Sequence, residues 1–226
     1  MSGPGSISRT RLAVWAAFVA AVGLLNLAAR LTGGKPAPDV LYHYDTAASG
    51  VVLYAIVLGV MLLLTRGLDR VEVFALSRPP SWPAAVGTML LGFVAVAVAT
   101  VVLGLFLHAG KEQGLVPDRW EPSHAGAFAT NFAVIAIVAP VVEELTFRGF
   151  GVSALEGRIA PWATAAWVGV AFGAWHGLVI AFPALAALGA IFAAVRLRTR
   201  SVYPTMIMHG IFNGVMLLAA VAGAAS

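Results

Sequence analysis

Glu143, Glu144 and Arg148 stand in the run Val141-Val142-Glu143-Glu144-Leu145-Thr146-Phe147-Arg148, directly after an almost wholly apolar stretch over 125–140. A charge near the centre of a bilayer costs about 2.5–3.5 kcal/mol, so three cost on the order of 10 kcal/mol unless they pair or face water. Three further side chains interrupt apolar runs in the same way: His176, and then His209 with Asn213. On a helix, residues four apart share a face, which pairs Glu144 with Arg148 and His209 with Asn213. Glu143 is turned about 100° from Glu144. One carboxylate can therefore face a cavity while its neighbour pairs with the guanidinium.

Such a set has the parts for peptide hydrolysis by an activated water. A carboxylate beside an imidazole takes a proton from water and passes it to the leaving amine, while an amide or imidazole N–H stabilises the oxyanion. Glu143, turned away from Arg148, is the expected base. Glu143, His176 and His209 are equally oxygen and nitrogen donors of the kind zinc takes, and a bound ion would activate the same water. The sequence leaves both open: no cofactor, or a single divalent metal such as zinc. The chain contains no cysteine, which removes thiol catalysis, disulfides and Cys-ligated zinc. Phe172 and Phe212, one turn before His176 and adjacent to Asn213, are candidates to line a hydrophobic substrate groove, with core packing as the alternative.

The elements that position these residues are membrane helices. In 226 residues, 60% are hydrophobic and only 11% charged, against about a quarter charged in ordinary soluble domains; mean hydropathy is +0.91. Apolar runs over 12–29, 50–64, 84–107, 125 onward through the Glu-Glu segment, 161–178, 179–195 and 204–224 predict an all-α polytopic bundle of seven spans, or eight if one run is divided. The sixth run carries Pro183 near its start and is expected to be broken there. At about 1.5 Å of rise per residue, Glu143, His176 and His209 fall within one layer of a hydrocarbon core about 30 Å thick.

The net charge of +4 does not indicate nucleic acid as a partner, because the basic residues sit in short loops between apolar runs. They do sort by side. With the amino terminus inside, Arg9, Arg11, Arg66, Arg70, Arg78, Arg148, Arg158, Arg196, Arg198 and Arg200 fall on the inner side, and Arg30, Lys35, Lys111 and Arg119 on the outer. That bias predicts a cytoplasmic amino terminus, and the polar layer is expected near the cytoplasmic half of the bilayer. The partners expected are membrane lipids and a peptide or protein substrate.

Glu143-Glu144-x-x-x-Arg148, Phe172-x-x-x-His176 and His209-x-x-x-Asn213, in this order on successive spans, resemble the three signatures of the CPBP intramembrane proteases, the family of type 2 CAAX prenyl proteases and abortive-infection proteins. The resemblance implies an intramembrane endopeptidase in which Glu143 and His176 activate the water. His209 and Asn213 would line the site and stabilise the oxyanion, and Glu144 with Arg148 would support the first helix. It implies CAAX-type or leader-peptide processing, with prenylated carboxyl termini, bacteriocin leaders and immunity roles all represented in the family. The corresponding division of the chain is a cytoplasmic segment 1–11, spans and loops over 12–124, and a protease-like core over 125–224.

Gly-x-Ser-Gly, Gly-x-Gly-Asp and His-Glu-x-x-His are absent, which disfavours serine, aspartyl and zincin-type chemistry. A proton-coupled transporter also needs buried Glu, Arg and His, but it predicts inverted repeats that this chain does not display. A non-catalytic immunity or scaffold protein of the same fold would keep its phenotype without Glu143.

Overall fold

Long apolar runs leave the backbone no hydrogen-bond partners in lipid except its own, so they fold as helices. A computed structural model describes residues 7–33, 36–107, 112, 117 and 119–224; Lys35 and Lys111, assigned above to the outer side, lie outside them. The helices are α1 (Arg9–Gly33), α2 (Tyr44–Leu64), the single turn α3 (Arg70–Val73), α4 (Trp82–Gly104), α5 (Pro122–Leu155), α6 (Pro161–Trp175), α7 (Phe182–Thr199) and α8 (Tyr203–Ala224). All of these except α3 and α6 are long and apolar enough to cross a bilayer. The protein is an integral membrane, all-α helix bundle.

Local chemistry sets the helix ends. Ser81 accepts a hydrogen bond from the Ala84 N–H at the start of α4, and Asp69 accepts from Val71 and Glu72 at the start of α3, as N-cap residues do. Pro183 corrects the expected break: it lies in the first turn of α7 and begins that helix, because an N-terminal position needs no N–H donor. The fifth run is shorter than its hydropathy indicates. Helix α6 stops at Trp175, and Gly177 turns the chain with φ +61°. A Cβ on Gly177 would lie 2.4 Å from the Leu27 N of α1, so both the backbone conformation and the close approach require glycine. Fifteen residues of α6 span about 22 Å, less than the hydrocarbon thickness, and this short helix presents His176 at its end.

Small residues bring α6 against α7. A Cβ on Gly169 would meet the Ala186 carbonyl at 2.4 Å, the close backbone approach typical of membrane helix pairs. Trp15, Phe147, Phe150, Phe172, Trp175 and Phe192 pack the interior, while Leu24, Leu25, Leu91, Val101 and Trp162 are exposed on the outside, as suits a lipid-facing surface.

Polar contacts sort the ends of the bundle. At one end Arg11 donates to the Arg66 carbonyl, Arg158 to the Ile7 carbonyl and Arg70 to the Leu62 carbonyl, with Arg196 and Arg200 near Glu156. At the other, Arg30 donates to the Glu112 carbonyl, and both Glu112 carboxylate oxygens accept from the Val179, Ile180 and Ala181 N–H groups at 2.6–3.0 Å. Arg11, Arg66, Arg70, Arg158, Arg196 and Arg200 of the inner set thus lie at the end opposite Arg30 of the outer set, and Arg148 is wholly buried.

Candidate active site

Helix α5 carries the two carboxylates between two widened, π-helical segments, Val134–Val138 and Leu145–Gly151. Pro140 has no N–H, so the carbonyl four residues earlier, that of Ala136, has no α-helical donor. Helix α8 moves in against it: a Cβ on Gly210 would lie 2.8 Å from the Ala136 oxygen. The widened segments also turn carbonyls outward. Ile135 accepts from Asn213 Nδ2 at 2.9 Å, and Thr146 accepts from Trp15 Nε1 at 3.0 Å. Such π-bulges cluster at functional sites, and here they anchor α8 and α1 on either side of the Glu-Glu pair.

Glu144 and Arg148 are fully buried and paired, Nη1 to Oε1, at 2.9 Å. Arg148 also donates to the Gly189 carbonyl and lies 4.4 Å from the centre of the Phe172 ring. The same Glu144 oxygen accepts from His209 Nδ1 at 2.9 Å. An ionised carboxylate only accepts, so Nδ1 carries the proton and Nε2 is turned toward Glu143 Oε2, 3.7 Å away. Glu143 Oε1 accepts from the Tyr54 hydroxyl at 2.7 Å. His176 Nδ1 is 2.8 Å from the Phe172 carbonyl; a carbonyl cannot donate, so this nitrogen too is N–H and Nε2 keeps its lone pair.

Glu143, His176, His209 and Asn213 line one cavity of about 220 Å³. The structure thus brings together the four residues expected at the centre, and it puts Glu144 behind them in contact with His209, with Arg148 paired to Glu144. Phe172 is both wall and core: it lines the cavity, is 1% exposed and has its ring 4.8 Å from that of His176. Phe212 lines the cavity and is half-buried.

Three polar lining residues escaped the sequence reading: Tyr54, Asn26 and Arg30. Asn26 Nδ2 donates to the Trp175 carbonyl at 2.7 Å, beside His176. A signal existed for each. Tyr54 carries the only hydroxyl of the apolar run 50–64, and Asn26 and Arg30 repeat the four-residue spacing of the other pairs. The depth expected from the arginine count also needs correction. The cavity is lined from the middle of the bundle toward the Arg30 and Glu112 end, and no residue of the arginine-rich end lines it, because α6 stops short and its terminus forms part of the wall.

Glu143 and His209 approach to 3.7 Å, but among the described residues no three His, Asp or Glu side chains group closely enough to share a metal. Hydrogen bonds hold His209 Nδ1 to Glu144 and His176 Nδ1 to a carbonyl, which leaves Nε2 of each ring as the nitrogen with a free lone pair.

Comparison with known families finds that residues 125–215 match the model described as Type II CAAX prenyl endopeptidase Rce1-like. The match contains all three polar motifs. No curated protein and no solved structure matches the chain.

Proposed function

We propose, on the premise that segment 125–215 belongs to the Type II CAAX prenyl endopeptidase Rce1-like family of intramembrane proteases, that this chain hydrolyses peptide bonds with a water activated by Glu143. The observation that carries this reading is the approach of Glu143 Oε2 to His209 Nε2, 3.7 Å apart in a cavity shared with His176 and Asn213.

In the proposed reaction Glu143 takes a proton from the water as its oxygen attacks the carbonyl carbon. The His176 Nε2 lone pair accepts a hydrogen bond from the same water and orients it. The developing oxyanion is met by the second N–H of the Asn213 amide, whose first is held by the Ile135 carbonyl. His209 stands beside Glu143, and the proton held by Glu143 passes to the amine nitrogen as the C–N bond breaks. Glu144, charge-balanced by Arg148, holds the His209 ring. Tyr54 holds the Glu143 carboxylate. We take the reaction to run without a metal, a reading supported by the absence, among the described residues, of three His, Asp or Glu side chains grouped closely enough to share an ion.

The substrate class that the family supports is a CAAX-type peptide at the membrane, prenylated or not; leader-peptide processing is a variant of the same chemistry. An orientation with the arginine-rich end and the amino terminus in the cytoplasm follows from the positive-inside bias. It puts the scissile bond between the bilayer midplane and the outer leaflet.

The test is cleavage of membrane-reconstituted peptides, isoprenylated carboxyl termini included, by the protein and its Glu143→Gln variant, with and without chelator. The proposal expects product from the wild type, a loss on the order of 10²–10⁴-fold in the variant, and no effect of the chelator. Equal product from both proteins would end the protease reading, and chelator-sensitive cleavage would end the metal-free one.

A further inference from the structure

At the arginine-rich end, away from the proposed catalytic cavity, a cleft of about 420 Å³ lies between the start of α1, α3 and the segment after it, the end of α5 and the last turn of α7. Arg196 lines it and is only 4% exposed. Among the described residues its buried Nε and Nη1 atoms have no hydrogen-bond partner. The third nitrogen is 3.4 Å from Ser153 Oγ and 4.0 Å from Glu156, so neither contact is strong. A buried guanidinium with two unmet donors carries a free-energy penalty that an oxyanion in the cleft would remove.

The rest of the lining says which anion. Arg200 adds a second cation, but Asp69, Glu72 and Glu156 also face the cleft. Asp69 is occupied in capping α3, and Glu156 is 3.7 Å from Arg200. Among the described residues the Glu72 carboxylate has no hydrogen-bond or ion-pair partner, its backbone N–H being held by Asp69. With carboxylates outnumbering guanidinium groups, a multiply charged free anion is repelled, whereas a monoanionic phosphodiester that carries its own ammonium finds partners for both charges. The cleft lies at the ends of helices long and apolar enough to cross a bilayer, and Val71 on its rim is an exposed apolar side chain, as suits an interfacial segment.

We propose that this cleft binds the headgroup of a phosphoethanolamine lipid, with the phosphate on Arg196 and Arg200 and the ammonium on Glu72 and Glu156. The ammonium donates three hydrogen bonds, and the quaternary nitrogen of a phosphocholine lipid donates none. The site therefore discriminates between two headgroups of equal net charge.

The full-length protein is reconstituted in nanodiscs of equal parts phosphatidylethanolamine, phosphatidylcholine and phosphatidylglycerol, and the lipids retained after release are read by native mass spectrometry. The expected result is about tenfold enrichment of phosphatidylethanolamine, lost in Arg196→Gln. Because that variant removes a buried charge, Glu72→Gln at the exposed rim is the second variant. It is expected to fold as the wild type and to lose most of the preference over phosphatidylcholine. Equal retention of the three lipids, or enrichment unaffected by Glu72→Gln in a folded protein, would overturn the proposal. So would stabilisation against heat by inorganic phosphate alone in a protein that shows no lipid preference, which would assign the cleft to a soluble anion.

Discussion

Arg148→Met separates what the buried ion pair does for the fold from what it does for the site. Arg148 and Glu144 are both 0% exposed and 2.9 Å apart. Removing the guanidinium leaves Glu144 buried with one N–H donor, from His209. Breaking a buried pair from one side costs about 3–5 kcal/mol, a shift of roughly 10²–10³·⁵ in the folded-to-unfolded ratio at about 1.4 kcal/mol per tenfold. The lost cation–π contact with Phe172 adds up to about 2 kcal/mol, while methionine refills most of the volume. The double variant Glu144→Leu/Arg148→Met has no orphaned charge and is expected to regain at least half of the lost stability, since a hydrophobic replacement of a buried pair is often neutral or better. It should not regain activity. His209 Nδ1 then has no acceptor, the ring loses its fixed tautomer and orientation, and cleavage is expected to stay down by about 10²-fold or more. Unfolding in detergent, followed by tryptophan fluorescence, is measured beside cleavage for the wild type, the single variant and the double variant. A double variant no more stable than Arg148→Met would refute the charge argument, and one that cleaves at the wild-type rate would refute the role given to Glu144.

Tyr54→Phe removes a 2.7 Å hydrogen bond to Glu143; at about 1.5–3 kcal/mol for a bond to a charged group, kcat is expected to fall roughly 10- to 100-fold with KM little changed. A kcat equal to that of wild type would remove Tyr54 from the site. Gly210→Ala drives a Cβ to 2.8 Å from the Ala136 carbonyl and is expected to cost about 1–3 kcal/mol and to displace His209 and Asn213. Gly59→Ala, with nothing within 4 Å of the new Cβ, is the control, and equal melting temperatures for the two variants would contradict the close approach. Acid should release Glu112 from α7. Burial raises the pKa of this group, but the three backbone N–H bonds and Arg30 outweigh it and hold the carboxyl below its ordinary 4.5. A depressed folded-state pKa means that the contact is fully present above the unfolded value and lost as pH falls through the folded one. Hydrogen exchange at Val179, Ile180 and Ala181 is therefore expected to accelerate in acid beyond its intrinsic pH dependence, and to be fast already near neutrality in Glu112→Gln. Protection that persists in both conditions would show that the carboxylate does not hold these amides.

The sequence by itself determined the class of the protein and the identity of its polar centre. Apolar runs long enough to cross a bilayer have little choice but to be helices, and charges buried in them must find partners, so Glu143, Glu144, Arg148, His176, His209 and Asn213 were legible from cost and spacing alone. Four-residue periodicity was enough to pair Glu144 with Arg148, because that contact lies within one helix. Tertiary structure decided the rest. Tyr54, Asn26 and Arg30 reach the cavity from α2 and α1, and a lone tyrosine or asparagine in an apolar run has no partner visible until the helices pack. The stop at Trp175 was hidden because the residues after it, Leu178, Val179 and Ile180, are as apolar as a helix interior, while the turn depends on Gly177 lying against the backbone of α1. Which oxygen of Glu144 holds His209, and hence which nitrogen faces Glu143, follows from the distance between α5 and α8. Glycine at position 210 and proline at position 140 make that approach possible only when the two helices are brought together.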